Sequence, residues 1–198
     1  MQHNLTLLRD KRTGPQEFRR VLSEVAALML YEATRSFAVR PMSVATPLAP
    51  ARGFQLKREV VLIPILRAGL GMLDSILQLL PHARVGFIGL KREETTLRAN
   101  FYHKSLPPDL KRFEVILIDP MLATGGSTVA AMDLLAELNV QIQNVRLVNL
   151  VAAPAGIRRV HASYPKLPIF TAAIDRTLND KGYILPGLGD AGDRLFGV

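Results

Sequence analysis

Residues 113–128 have the sequence FEVILIDPMLATGGST, in which a glycine-rich connection joins a strand pattern to a helix pattern. The apolar run 113–118 predicts a buried strand, and the apolar-rich segment 129–138 predicts a helix. Glycines let the backbone approach a ligand closely, and the N–H groups at a helix start attract phosphate. Asp119 ends the strand, and its carboxylate can accept hydrogen bonds from sugar hydroxyls. A phosphate site beside such an acid suits a ribose 5-phosphate.

This connection does not match the common nucleotide-binding patterns. No Lys follows the glycines as in a Walker A loop, and the GxGxxG spacing is absent. An ordinary glycine-rich turn before a helix explains the same residues. This stretch alone does not show whether it binds phosphate or is such a turn.

The composition describes a globular domain. The 198 residues are 48% hydrophobic, which is enough for one domain with a sizeable core. The absence of cysteine excludes disulfides, thiolate metal sites and cysteine nucleophiles. No apolar stretch approaches the length of a membrane span, and the first residues, MQHN, lack the features of a signal peptide. We therefore expect a soluble, cytoplasmic protein.

The net charge of +8 favours anionic ligands. Of the 25 basic residues, 18 are Arg, which suits bidentate recognition of phosphate. Nucleic acid is the rival partner, but the basic residues are scattered in pairs and form no long or aromatic-interleaved run. We do not expect nucleic-acid binding, because a solvated basic surface accounts for most of these residues.

The rest of the chain alternates strand and helix patterns. A helix is predicted at 15–34; residues 1–12 are expected to form a polar arm, and 37–59 an extended excursion or hairpin. Further strands are predicted at 60–63, 84–90, 145–151 and 169–174, and further helices at 70–80 and 154–163. This alternation predicts one α/β domain over residues 1–198, with a mostly parallel, twisted sheet and helices on both faces. Ligands of such sheets bind at the carboxyl ends of the strands.

Three further segments are candidates for function, and each has a plain structural alternative. Arg67, before Ala68 and Gly69 at a predicted strand end, is suited to a second anion or to a simple tight turn. The polar stretch 91–106 is either a lid or a solvated connection. The glycine-rich segment 182–193 is either a loop offering backbone groups to a planar ligand or a loose tail, and its apolar residues argue against a tail. No His has the spacing of a metal ligand, and no side chain is assigned a catalytic role.

Three of these stretches together resemble uracil phosphoribosyltransferases: IPILRAGLG at 63–71, DPMLATGGS at 119–127 and GYILPGLGDAGD at 182–193. The resemblance implies a type I phosphoribosyltransferase fold, with an amino-terminal helix and arm at 1–59 and a carboxyl-terminal hood at 175–198. It implies transfer of the phosphoribosyl group of 5-phosphoribosyl 1-diphosphate (PRPP) to uracil, which gives UMP and pyrophosphate.

The resemblance also assigns residues to each substrate. PRPP binding is implied for Arg67, Arg92, Asp119, Pro120, Met121, Leu122, Ala123, Thr124, Gly125, Gly126, Ser127 and Asp190. Uracil binding, largely through backbone groups, is implied for Ile184, Gly189, Asp190 and Ala191. Pro120 follows Asp119 where many type I phosphoribosyltransferases have a second acid. Mg²⁺ is therefore expected to be held mainly by PRPP and water, without a metal site built by the protein.

The implied partners are uracil, PRPP, GTP as an effector, and further copies of the chain in a homodimer or homotetramer. An RNA-binding pyrimidine regulator on the same fold, with weak or no transferase activity, is the alternative function. A phosphoribosyltransferase for another base is a third hypothesis, against which the segment 182–193 argues.

Overall fold

A computed structural model describes the backbone of residues 1–92 and 99–198 and the side chains of residues 1–91 and 100–198. The helices are α1 (Gln2–Arg9), α2 (Pro15–Thr34), α3 (Leu70–Leu79), α4 (Gly126–Glu137), α5 (Pro154–Ser163) and α6 (Ala191–Phe196). The strands are β1 (Val39–Ala45), β2 (Pro50–Leu56), β3 (Val60–Leu66), β4 (Arg84–Val85), β5 (Phe87–Arg92), β6 (Ala99–Ser105), β7 (Glu114–Ile118), β8 (Met121–Leu122), β9 (Val145–Ala152), β10 (Ile169–Ile174), β11 (Thr177–Leu178) and β12 (Ile184–Leu185).

Within these residues, eight strands form one sheet. Its order is β10-β9-β7-β3-β5-β6, with β4 also beside β3 and β8 also beside β9. All pairings are parallel except β5 with β6, which lie antiparallel at one edge. Parallel neighbours need crossover connections, and α3, α4 and α5 lie in the connections that follow β3, β8 and β9. The predicted α/β fold with a mostly parallel sheet is confirmed.

The central strands are apolar on both faces because helices cover both faces. Every residue of β7 and β9 is buried. Successive side chains of a strand point to opposite faces. Leu62 accordingly packs in the cluster that contains residues of α1, α2 and α3, whereas Ile63 packs with residues of α4 and α5. This two-sided core holds the carboxyl ends of β3, β7 and β9 side by side.

The first residues do not form the expected polar arm. They form α1, whose Leu5 and Leu8 are 1% and 0% exposed and pack into the same cluster as α2. Two leucines three residues apart are too short a pattern to predict this contact from sequence. The helix α2 covers Pro15–Thr34, as predicted. None of the described helices combines the length and the apolar composition that a membrane crossing needs.

The segment 37–59 contains a hairpin, one of the two structures predicted for it. β1 and β2 pair antiparallel along their whole length. All of their residues are exposed apart from the half-buried Gly53. Large apolar side chains, such as Met42 at 43% and Phe54 at 62% exposure, therefore lie on the surface of the chain.

The region 84–106 differs from its prediction in two places. The expected single strand is divided into β4 and β5, because β4 pairs with the start of β3 and β5 with its end. The polar stretch 91–106, expected to be a lid or a solvated connection, contains β6, which pairs with β5. Residues 93–98, the centre of the expected lid, lie outside the described residues.

A buried ion pair lies at the amino-terminal edge of the sheet. Nη1 of Arg146 in β9 donates to Oε2 of Glu114 in β7 at 2.8 Å, and the two side chains are 9% and 10% exposed. The guanidinium also lies 4.5 Å from the centroid of the Phe37 ring, between α2 and β1. This cluster ties the start of the hairpin to the sheet.

Candidate active site

Asp119 stands where the chain leaves the carboxyl end of β7. Its backbone N–H donates to the carbonyl of Val148 at 3.1 Å, and its carbonyl accepts a 2.6 Å bond from the side-chain amide of Asn149. Both partners belong to β9. The sheet therefore sets the position of the Asp119 backbone, and with it the origin of the carboxyl group.

The Asp119 carboxyl group is difficult to ionise. Burial raises the pKa of Asp119 to about 7, and the hydrogen bond from the Met121 N–H to Oδ1, 3.4 Å long, only partly opposes this rise. The group is therefore divided between its neutral and charged forms near neutral pH. A carboxyl group perturbed in this way at a strand end is typical of a functional site.

The connection from Asp119 to α4 brings backbone groups to a helix start. Met121–Leu122 is the short strand β8 and not a loop, because it pairs with β9. Gly125 has φ of +77°, and a Cβ atom there would lie 2.8 Å from the carbonyl oxygen of Gly156. Gly125 is also the N-cap of α4 and has no side chain to cap the first turn. The first N–H groups of a helix lack partners within it, so this helix start is suited to an anion.

The connection after β3 packs directly against the end of β7. A Cβ atom on Gly69 would lie 2.7 Å from the carbonyl oxygen of Ile118, so no side chain fits between the two strand ends. Arg67, two residues earlier, is exposed, and the peptide bond before it is cis. An exposed guanidinium and the Asp119 carboxyl group thus belong to adjacent connections at one edge of the sheet.

A third connection, after β10, begins with a small hairpin. β11 and β12 pair with each other antiparallel. The turn between them is built on Asn179, whose Oδ1 accepts hydrogen bonds from the N–H groups of Lys181 at 3.0 Å and Tyr183 at 2.9 Å. This hairpin is a separate sheet that lies outside the main one.

After β12, the chain runs through an irregular glycine-rich loop into α6. Gly187 and Gly189 have φ of +61° and +80°, a conformation that side chains other than glycine rarely adopt. Asp190 then caps α6, since its Oδ1 accepts a 3.0 Å bond from the Asp193 N–H. Of the predicted irregular segment 182–193, only its β12 and α6 parts are regular.

A cavity of about 350 Å³ lies where the three connections meet. Its lining residues come from all three: Ala68 from the first; Asp119, Met121 and Ala123 from the second; and Lys181, Gly182, Tyr183, Ile184, Gly189, Asp190, Ala191 and Gly192 from the third. A cavity of this size is suited to a small molecule. Its position at the carboxyl ends of parallel strands is where α/β sheets bind ligands.

Comparisons with known proteins agree with this arrangement. A family profile described as uracil phosphoribosyltransferase matches residues 1–198. The uracil phosphoribosyltransferase of Dictyoglomus thermophilum is 52% identical over 199 residues, which cover 100% of this chain and 95% of that protein. The chain belongs to the uracil phosphoribosyltransferase family.

Solved structures support the assignment of the fold. The AQ2163 protein from Aquifex aeolicus superposes with a TM-score of 0.92 at 39% identity, over 100% of this chain and 94% of that one. The adenine phosphoribosyl transferase of Trypanosoma brucei superposes with a TM-score of 0.56 at 15% identity, over 85% and 70% of the two chains. The second likeness concerns the fold alone.

The structure brings together many of the residues that the resemblance to uracil phosphoribosyltransferases assigned. The ones that line the cavity are Asp119, Met121, Ala123, Ile184, Gly189, Asp190 and Ala191. Thr124, Gly125, Gly126 and Ser127 follow these at the start of α4. The PRPP and uracil sets therefore meet at one place, although they come from distant parts of the chain.

Other assigned residues lie elsewhere. Pro120 and Leu122 are buried, and their carbonyl oxygens accept hydrogen bonds at 2.9 Å each, from the N–H of Leu150 in β9 and from the N–H of Ala153, the residue after β9. Their visible role is to attach the connection to the sheet. Arg67 is exposed beside the cavity and is not part of its lining. Arg92 ends β5, and its side chain lies outside the described residues.

Several lining residues were not assigned from sequence: Ala68, Lys181, Gly182, Tyr183 and Gly192. Four of them lie within the three stretches that resemble the family, and Lys181 directly precedes the third. Ala68 and the two glycines have no polar side-chain atoms, so only the fold shows that they line the cavity. Lys181 and Tyr183 have side chains that can form hydrogen bonds. Their position just before the glycine-rich loop could have identified them as candidates from the sequence.

Proposed function

We propose that the chain transfers the 5-phosphoribosyl group of PRPP to uracil and forms UMP and pyrophosphate, a reaction of pyrimidine salvage. The observation that carries the proposal is the single cavity shared by the Asp119 connection and the glycine-rich loop. In this reaction the bond from C1′ to the pyrophosphate oxygen breaks and the bond from C1′ to N1 of uracil forms. The N1 proton is released.

The start of α4 is suited to the 5-phosphate of PRPP. The first-turn N–H groups and the Ser127 hydroxyl are donors, and Gly125 and Gly126 allow the phosphate to approach the backbone. Asp119, at the other end of the same connection, is suited to the ribose hydroxyls, because a carboxylate accepts two such bonds. Since these bonds favour the charged carboxylate, PRPP binding would release a proton from Asp119 near neutral pH.

The departing pyrophosphate needs positive charge. Arg67 and Arg92 are the candidate donors, and a guanidinium fixed in position costs little reorganisation as charge develops. When bound, Mg²⁺ would supply further positive charge to the pyrophosphate oxygens. Among the described residues, no group of three or more His, Cys, Asp or Glu side chains could hold a metal ion. Asp119 and Asp190 line the cavity, and two carboxylates fit an ion held mainly by PRPP and water.

Uracil would be recognised by the loop that follows β12. Backbone groups of Ile184, Gly189 and Ala191 can pair with the carbonyl and N3–H groups of uracil, and Asp190 lines the same cavity. A cytosine amino group would place one donor against another, which such a site rejects strongly.

The test is release of pyrophosphate and formation of the matching nucleotide by Mg²⁺-loaded protein with PRPP, with uracil, cytosine, orotate and hypoxanthine supplied in parallel. We expect turnover with uracil alone. Turnover with a different base would show that the loop had been assigned the wrong base. Absence of turnover with every base, at PRPP concentrations shown to saturate the protein, would refute the transferase activity.

The alternative function, an RNA-binding regulator, is supported by the net charge of +8. No contact within the described residues supports it. It predicts a strongly salt-dependent affinity for a particular RNA. Equal affinities for that RNA and for a random RNA of the same length would remove this alternative. Specific RNA binding without UMP formation would replace the transferase proposal.

We further propose assembly into a homodimer or homotetramer. The support is the hairpin β1–β2, whose apolar side chains are exposed on both faces among the described residues. Light scattering should give a mass of two or four chains. A monomeric mass at micromolar concentration would contradict the assembly. The expected cytoplasmic location belongs to the same set of proposals and is tested by cell fractionation.

GTP regulation is supported by a second cavity, of about 390 Å³, near the hairpin and the amino ends of the strands. Its lining is basic on balance, with Arg40, Lys57, Arg58, Arg84 and Arg112 against the two acids Glu59 and Asp109. An anionic effector would fit this lining better than a neutral one. GTP should change the initial rate in wild-type protein but not in Arg40→Gln, and an equal response of the two would exclude this site.

A further inference from the structure

Asp175 is a buried acid at the same sheet edge as Asp119, directly after β10. It is 6% exposed and accepts two hydrogen bonds from Arg9 of α1, Nη1 to Oδ2 at 2.7 Å and Nη2 to Oδ1 at 2.8 Å. Hydrogen bonds between two charged groups in this bidentate arrangement are among the stronger ones in proteins. The first helix is thereby attached to the end of the last strand of the main sheet.

Both polar backbone groups of Gly187 are held by this ion pair. The Gly187 N–H donates to Oδ2 of Asp175 at 2.8 Å, and the Gly187 carbonyl accepts a 2.8 Å bond from Nη1 of Arg9. Gly187 lies between Ile184 and Gly189, which line the cavity. The ion pair therefore fixes the backbone at the middle of the glycine-rich loop.

The next residue of the loop is attached to the same amino-terminal segment. Nη1 of Arg194 donates to the Leu188 carbonyl at 3.0 Å, and Nη2 donates to the Asp10 carbonyl at 2.7 Å. The Arg194 guanidinium also lies 4.3 Å from the centroid of the Phe18 ring. Gly187 thus contacts Arg9 directly, and Leu188 is connected to the start of the chain through Arg194.

We propose that the Arg9–Asp175 ion pair positions the uracil-binding loop and so sets the affinity for uracil. The inference rests on the proposed transferase function. Recognition by backbone groups needs the backbone held within about 0.5 Å of its productive position. Neither Arg9 nor Asp175 lines the cavity, so both act as positioning residues through Gly187. Within the described residues, the hydrogen bonds between the Arg9 and Asp175 side chains and from them to Gly187 do not involve α4, on which the proposed 5-phosphate site is built.

The decisive comparison is Arg9→Met against Arg12→Met. Arg12 belongs to the same segment but pairs with Asp10 on the surface, where its side chain is 85% exposed. We expect Arg9→Met to raise KM for uracil about tenfold while KM for PRPP changes less than twofold, and Arg12→Met to change neither. Arg9→Lys should recover part of the uracil affinity, because an ammonium group keeps one contact with Asp175. A merely structural role would move both KM values together with the unfolding temperature.

Hydrogen exchange of the amides at 187–190 tests the positioning without any turnover. Exchange should be faster in Arg9→Met than in wild-type protein and unchanged in Arg12→Met. Unchanged exchange, or an unchanged KM for uracil in an active Arg9→Met, would overturn the inference. Inactive wild-type protein whose loop exchange still responds to Arg9→Met would refute the proposed function while leaving the ion pair as the element that holds the loop. If Arg9→Met does not fold, Arg9→Lys is compared with Arg12→Lys in the same way.

Discussion

Gly69 and the carbonyl oxygen of Ile118 lie so close that a Cβ atom on Gly69 would come within 2.7 Å of that oxygen. The same atom would meet the Ile65 carbonyl oxygen at 2.7 Å. Both obstacles are backbone atoms of the central strands β3 and β7, which cannot move aside as a side chain can. The contact keeps the connections that carry Arg67 and Asp119 at a fixed separation.

We predict that Gly69→Ala destabilises the fold and weakens PRPP binding. Overpacking in a dense region costs about 1–3 kcal/mol, and the shift needed to relieve it separates the two connections. Urea unfolding should show the loss in free energy, and KM for PRPP should rise several-fold. Gly14→Ala is the control, since nothing lies within 4 Å of a Cβ atom at Gly14. Equal KM values for PRPP in the two variants would contradict the prediction.

The raised pKa of Asp119 predicts a pH dependence of stability. The ordinary pKa of 3.8 is raised to about 7 in the folded protein, so between these values the folded state holds a proton that the unfolded chain has lost. The free energy of unfolding should therefore fall as pH rises from about 4 to about 7 and level off above. Three pKa units correspond to at most about 4 kcal/mol. Asp119→Asn should lose this slope, be more stable than wild type at pH 8, and bind PRPP poorly.

Asp175→Asn is the matched control, because the pKa of Asp175 is perturbed in the opposite direction. Burial alone would raise the pKa of Asp175, but hydrogen bonds from Arg9 and the Gly187 N–H and the charges of Arg9 and Arg176 outweigh it, so the pKa is lowered. The charged form thus adds stability above the ordinary pKa and loses it as pH falls through the folded pKa. Asp175→Asn should be less stable than wild type at pH 8. If both substitutions destabilise the protein at that pH, the raised pKa of Asp119 is refuted; if both stabilise it, the lowered pKa of Asp175 is refuted.

We expect Asp190→Asn to leave the stability of the fold nearly unchanged but to slow the reaction. The Asp190 side chain caps α6 through the 3.0 Å bond from the Asp193 N–H, and an Asn side-chain oxygen can accept the same bond. We predict that Asp190→Asn lowers kcat/KM roughly tenfold to a hundredfold with a shift of the unfolding midpoint of only a few degrees. Asp190→Ala should lose both the cap and the activity. A drop of many degrees in Asp190→Asn would mean that the carboxylate has a structural role beyond the cap.

The Arg146–Glu114 pair should matter for stability and not for substrate affinity. Removing one partner of a buried ion pair leaves an uncompensated charge, which costs about 3–5 kcal/mol. Glu114→Gln should show this loss in chemical denaturation while both KM values stay within twofold. The exposed pair of Arg84 with Glu59, whose side chains are 51% and 64% exposed, gives the control. Glu59→Gln should lower the free energy of unfolding by less than about 1 kcal/mol. An equal loss in both variants would contradict the predicted contribution of the buried pair to stability.

Strong periodic patterns predicted most of the fold. The helices at 15–34 and 154–163 and the strand at 169–174 have the predicted bounds, since each has a sustained apolar pattern or a clear boundary such as the proline that begins α5. The order of these elements was enough to place the Asp119 connection at the carboxyl edge of a parallel sheet.

Contacts between residues far apart in the chain could not be predicted from the sequence. The two buried leucines of α1 are too few to distinguish a packed helix from a polar tail. The strand β6 has a polar composition, as is common at a sheet edge. The partnership of Arg9 with Asp175 joins residues at opposite ends of the chain, and no local pattern predicts which arginine of 18 meets that acid. Resemblance to a family supplied the substrate assignments, which periodicity could not.

The dependence of Gly187 on Arg9 has a consequence for exchanging parts between relatives. A loop transplanted from a homologue that prefers another base would lack its own α1 helix, which holds the loop in place. The proposed positioning role thus makes base preference a joint property of two segments far apart in sequence, α1 and the glycine-rich loop. A chimera that replaces 175–190 should inherit the new preference only when residues 1–13 are replaced with it.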